Sequence, residues 1–69
     1  LNMAKTVFDV LKDKIEGDIS SAQSFLTAGS SKDYAHYREV VGLIRGLEAS
    51  KSYVEDLSRN YMEDDDGNY

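Results

Sequence analysis

The chain contains no proline, and this constrains its fold more than any other feature. Proline removes a backbone donor and breaks helices, so a proline-free chain lets a helical period run uninterrupted. Such a period is present from about Met3 to Ala28. Phe8, Leu11, Ile15, Ile19, Ala22 and Leu26 recur at steps of 3, 4, 4, 3 and 4, which follows the helical repeat. Val7 and Val10 widen this apolar stripe near its start. Strand-like alternation is absent.

Gly29 follows the first segment, in the place of a left-handed helix C-cap. Ser30, with Asp33 three residues on, has the spacing of a capping box for a second helix. The turn is therefore placed at residues 28–31, and so short a turn makes the helices antiparallel. The second segment runs from about Ser31 to Tyr61. Tyr37, Val40, Ile44, Leu47, Val54, Leu57 and Tyr61 mark its apolar face, and Tyr34, Val41, Leu43 and Tyr53 broaden it. It should overhang the first helix by about one turn. Residues 62–69 read as an acidic tail carrying Glu63, Asp64, Asp65 and Asp66. Acidic groups oppose the dipole at a helix C-terminus, so fraying is expected there. The fold class that follows is all-α: one domain over residues 1–69, an antiparallel two-helix hairpin that assembles into a helical bundle with itself or a partner.

Folding the hairpin about Gly29 and Ser30 sets residue i level with residue 59 − i. Gly17 then meets Gly42, Ile15 meets Ile44, Ala22 meets Tyr37 and Phe25 meets Tyr34. Arg45 comes level with Lys14 and Glu16, where it can pair with Glu16 across the hairpin or with Glu48 or Glu55 on a neighbour. Glycines inside helices cost roughly 1 kcal/mol each relative to alanine. Gly17, Gly42 and Gly46 therefore suggest close helix approach. Gly42-x-x-x-Gly46, extended by Ala49 or Ser50, places small residues along one face. Packing within the hairpin accounts for this stripe as well as a contact with another protomer does. The candidate interface residues are Gly42, Arg45, Gly46, Ala49, Tyr53 and Tyr61, since tyrosine combines an apolar body with a polar tip. Tyr34 and Tyr37 read more simply as core.

The 69 residues include no cysteine and a single histidine, His36. A chain this small rarely builds a sufficient core without a disulfide, a metal or a partner. Disulfides, thiolate metal sites and thiol nucleophiles are excluded. Asp33, His36 and Glu39 have a metal-like spacing but no second cluster. His36 reads as a solvated surface residue, and no cofactor or metal is expected. Asp64-Asp65-Asp66-Gly67-Asn68 has the start of a calcium loop without its distal glutamate. No phosphate loop or nucleophile–base pair occurs, so the chain reads as a non-enzyme.

The net charge is −5. Four of the 13 acidic residues lie at 63–66, leaving 9 against 8 basic ones in the first 62 residues. This balance argues against a phosphate-driven nucleic-acid binder. No apolar run reaches the ~20 residues of a membrane span, and the first residues lack the pattern of a signal peptide. Met3 is one candidate for the true start, with Leu1 and Asn2 non-native; a non-standard start codon is the other. Two wide apolar stripes on a two-helix chain cannot cover one another, so self-association or partner binding is expected.

Tyr34-x-x-Tyr37, then Val41-Gly42-x-Ile44-Arg45-Gly46-Leu47-Glu48-x-Ser50, and the acidic Met62-Glu63-Asp64-Asp65-Asp66 resemble a group of small helical proteins of tailed bacteriophages. The resemblance covers residues 29 to 66. It implies a virion or assembly role, in the host cytoplasm or the virion, and supplies no catalytic residues. The functional expectation is a phage accessory hairpin that self-associates or docks on a phage structural protein. The alternative is a small phage regulator that binds and inhibits a host protein, its acidic tail imitating nucleic-acid charge.

Overall fold

The computed structural model describes residues 6–63. Two helices, α1 (Val7–Thr27) and α2 (Tyr34–Glu63), pack side by side as an antiparallel, all-α hairpin. The described residues extend over 51 × 24 × 11 Å, so the molecule is a slab one helix thick.

Each helix end has an identifiable chemical cause. Thr6 caps α1: its hydroxyl accepts from the Asp9 N–H, and the Asp9 carboxylate accepts from the Thr6 N–H, completing a capping box. This reciprocal pair satisfies two donors that a helix start leaves open. It starts α1 at Val7 rather than near Met3. The other end closes as expected at Gly29, which takes φ +72°. The Ser30 N–H reaches the Phe25 carbonyl and the Gly29 N–H reaches the Leu26 carbonyl. These are the two bonds of a Schellman motif, and its positive-φ position suits glycine.

The start of α2 differs from the sequence expectation. Asp33 is itself the N-cap, not the third residue of a box begun by Ser30. Its carboxylate accepts from the His36 N–H at 2.8 Å, and its carbonyl accepts the first helical bond from Tyr37. Aspartate is among the strongest N-cap residues, and here it displaces Ser30 from that role. The link is therefore Ala28–Asp33 rather than 28–31. Residues 62 and 63, expected in the tail, continue α2. Asp64, Asp65 and Asp66 lie outside the described residues.

Starting α2 at Tyr34 instead of Ser31 shifts the pairing of the helices. The expected level sum of 59 is replaced by 61 at Phe25–His36, 67 at Lys12–Glu55 and Glu16–Lys51, and 69 at Phe8–Tyr61. Gly17 and Gly42 consequently do not meet. A methyl group built on Gly17, Gly42 or Gly46 would contact nothing within 4 Å. The close approach expected from these glycines is absent. Glu16 pairs with Lys51 at 3.2 Å, not with Arg45. Phe25 meets His36 rather than Tyr34. Tyr34 and Tyr37 are not core: Tyr34 is 70% exposed, and the two rings stack on one another with centroids 6.2 Å apart.

The two helices differ in length by more than one turn. α2 has 30 residues and α1 has 21, a difference of roughly 14 Å at ~1.5 Å per residue. Among the described residues no third helix is present.

Gly17 faces open space in an ordinary helical conformation, so a side chain there meets no obstacle. Gly17→Ala is expected to stabilise the hairpin by about 1 kcal/mol through helix propensity alone. A higher urea midpoint by circular dichroism, at fixed protein concentration, checks this; an unchanged or lower midpoint contradicts it.

Candidate protein interface

At about 100° per residue, α1 carries two apolar stripes roughly a quarter-turn apart. Phe8, Ile15, Ile19 and Ala22 form the stripe turned toward α2. Among the described residues only Ile19 and Ala22 are buried. The second stripe holds Val7, Leu11 and Phe25, interrupted by Lys14, Asp18 and Ser21. It lies to one side of the helix contact. Val7 is 74% exposed and Leu11 is exposed as well.

α2 repeats this arrangement. Ile44 and Lys51 face α1. A second stripe at His36, Val40, Leu43, Leu47, Ser50, Val54, Leu57 and Tyr61 advances in alternating steps of 4 and 3. That spacing is the 3.5-residue repeat of a coiled-coil seam. Leu43 is 56% exposed, and Leu57 and Tyr61 are similarly open.

The secondary stripes of α1 and α2 fall on the same face of the slab. Between them runs a groove of about 420 Å³ whose walls include Ala22, Phe25, Val40, Leu43 and Leu47, with Asp18 on its α1 side. The opposite face carries the ion pairs between the helices. There Lys12 pairs with Glu55 at 3.3 Å and Glu16 with Lys51 at 3.2 Å. Glu55, through a hydrogen bond and its charge, holds the Lys12 ammonium above its ordinary pKa of 10.5. A raised lysine pKa stabilises the fold at all pH values below the unfolded one. That contribution is lost only as pH rises through the folded value. The ion pair therefore persists through the neutral range. Arg59 pairs with Asp56 on the same helix.

His36 is not the solvated residue that the sequence suggested. It is half-buried at the turn end of the groove. Its Nδ1 accepts the Lys32 N–H at 3.1 Å, and its own N–H donates to Asp33. Its ring meets Phe25 edge to face, centroids 5.4 Å apart at 74°. The histidine thus ties the link to both helices. Accepting at Nδ1 requires that this nitrogen carry no proton, which places the proton of the neutral ring on Nε2.

The interface candidates read from the sequence divide between two locations. Gly42, Arg45, Gly46, Ala49 and Tyr53 lie on the outer surface of α2, turned away from α1, and all are exposed. Tyr53 is 71% exposed. Tyr61 belongs to the other group: its ring packs on Phe8 with centroids 5.6 Å apart. Glu63 ends α2. The sequence reading overlooked Val7, Leu11, Phe25, Leu43 and Leu57 as a separate surface. Their alternating 3 and 4 spacing was the available signal. It was merged with the hairpin stripe into one broad apolar face.

Asp33, His36 and Glu39 are not gathered as a metal site; Asp33 and His36 serve the helix cap. Among the described residues no cluster suited to a metal occurs, and no helix is long and apolar enough to cross a membrane. No protein-family model, curated protein or solved structure matches the chain.

His36→Ala removes the acceptor for the Lys32 N–H and the edge contact with Phe25. The expected cost is about 1–2 kcal/mol, read as a lowered urea midpoint with the native helix content retained. His36→Asn, which keeps an acceptor, should recover part of the loss. An alanine variant as stable as the parent contradicts the latch.

Proposed function

We propose that this chain is a non-enzymatic association module, and that it works as a tailed-phage accessory hairpin which self-associates or docks on a virion or assembly component. One observation carries the reading. The described residues bury only two side chains, while nine large apolar ones remain exposed. Each leucine-sized side chain removed from water contributes about 1.5–3 kcal/mol. A slab one helix thick cannot bury both stripes of each helix on its own. Covering the open groove with protein removes this liability and supplies the burial that the hairpin by itself lacks.

The phage context rests on the resemblance carried by residues 29 to 66. The Ile44-Arg45-Gly46-Leu47-Glu48 core of that resemblance lies wholly on α2. It supplies Leu47 to the groove, Ile44 to the contact with α1, and Arg45 and Gly46 to the outer surface. This pattern suits a protein that others bind rather than one that turns over a substrate. The proposed setting is the host cytoplasm, the virion, or both.

Sedimentation equilibrium tests the association directly. A mass of at least twice 7.7 kDa is expected at micromolar concentration, with a thermal midpoint that rises with concentration because assembly and folding are linked. A folded monomer with a concentration-independent midpoint, and with no affinity for particle proteins, would sink the reading. Mass spectrometry of purified particles from the source phage tests the virion assignment separately. Peptides of this chain should be present in stoichiometric amounts, and their absence removes the virion role.

A further inference from the structure

We propose that the groove is covered by a second copy of this chain, and that the two hairpins meet face to face with α1 against α1 and α2 against α2, their turns at opposite ends. This rests on the association reading and names its partner and geometry. The product is a four-helix bundle with a twofold axis across its middle.

Three observations select this arrangement. The first is angular. In each helix the open stripe stands about a quarter-turn from the hairpin stripe. A helix at the corner of a square bundle has two neighbours set about 90° apart, so it needs two such stripes. The second is size. The slab's broad face measures 51 × 24 Å, an outline of roughly 1,200 Å². A standard interface takes about 800 Å² from each partner. An identical hairpin matches this outline along its whole length, whereas a single added helix would cover only part of it.

The third observation is the symmetry of the stripes. On α1 the stripe runs through Val7, Leu11, Lys14, Asp18, Ser21 and Phe25, all exposed except the half-buried Phe25. Read in reverse from a second copy, they pair Val7 with Phe25, Leu11 with Ser21 and Lys14 with Asp18. The centre of this pattern is Glu16. On α2 the same operation pairs His36 with Tyr61, Val40 with Leu57, Leu43 with Val54 and Leu47 with Ser50. Its centre falls between Glu48 and Ala49. Glu16 is bound to Lys51 within the hairpin, so the two centres lie within one helical turn of each other. A single axis therefore serves both helices.

Charge decides between this orientation and its competitor. With both turns at the same end, α1 would face α2 of the second copy. Asp18 would then come level with position 49, between Leu47 and Ser50, on a stripe of α2 that offers no lysine or arginine to pair with it. Burying an unpaired charge is strongly unfavourable. With the turns at opposite ends, Asp18 meets Lys14 of the second copy, and the axis repeats the pair. Opposite charges in register also fix alignment, as they do in coiled coils.

Charge reversal tests the assignment. Asp18→Lys should raise the dimer dissociation constant at least tenfold at low salt, because two lysines then face one another across each half of the interface. The double variant Lys14→Asp with Asp18→Lys restores opposite charges and should return to within about threefold of the parent. Circular dichroism follows helicity in each. A second readout places a spin label at Ser30→Cys, which is feasible because the chain has no native cysteine. The two labels should lie roughly 40 Å or more apart, from about 14 residues of rise on each side of the axis. An unaffected Asp18→Lys dimer, a failed rescue, or labels within about 20 Å of each other overturns this geometry while leaving association intact. A monomeric parent overturns the association reading itself.

Discussion

Gly29 turns the chain back at φ +72°, and Asp33 begins α2 four residues later. These two positions fix the register of the hairpin, and the character of each face follows from that register. The register places Lys12 opposite Glu55 and Glu16 opposite Lys51, which gives one face to ion pairs. The other face is left with Leu11, Ala22, Phe25, Leu43 and Leu47. His36 reinforces the arrangement from inside the turn, holding the Lys32 N–H and the Phe25 ring together. A link two residues shorter would move charged side chains out of register along the whole hairpin.

The asymmetry between the faces is also an asymmetry of energy. Exposed ion pairs of this type are screened by solvent and contribute little. They align the helices without supplying much stability. The apolar face carries several side chains worth about 1.5–3 kcal/mol each on full burial, and in the single hairpin that burial is incomplete. Two cylinders touch along one line. Any apolar side chain a quarter-turn away from that line stays in water, however well the hairpin forms. Only Ile19 and Ala22 lie close enough to the line to be buried among the described residues. The deficit therefore arises from the geometry of two helices and not from a poor choice of core residues.

Helix type and number were legible in the sequence, because the apolar period over Phe8 to Leu26 is strong and no proline interrupts it. Gly29 was legible as a cap for the same local reason. The register was not. Ser30 and Asp33 both have capping chemistry, and only the three-dimensional path of the link shows that Asp33 prevails. That one choice moved Gly17 away from Gly42 and exchanged Arg45 for Lys51 as the partner of Glu16. The face was misread by another route. Period places Ile44 on the face that meets α1, but it does not separate that face from the neighbouring stripe of Leu43, Leu57 and Tyr61. Residue type alone puts Tyr34 and Tyr37 in the core, whereas both are exposed and their rings stack on one another.

Covering the groove does not consume the rest of α2. Gly42, Gly46, Ala49 and Tyr53 lie on the outer surface, turned away from both α1 and the groove. Helical geometry separates the two surfaces, since residues three and four apart share a face whereas the groove stripe follows its own sequence of positions. The proposed self-association and docking would therefore draw on different sides of one helix and would not compete. A twofold dimer also presents every outer residue twice, once on each side of the axis. Repetition matters for a surface without deep pockets. Two weak contacts held at a fixed separation bind a repetitive partner far more tightly than either contact alone. The proposed pairing would thus give the hairpin both a covered interior and a bivalent exterior.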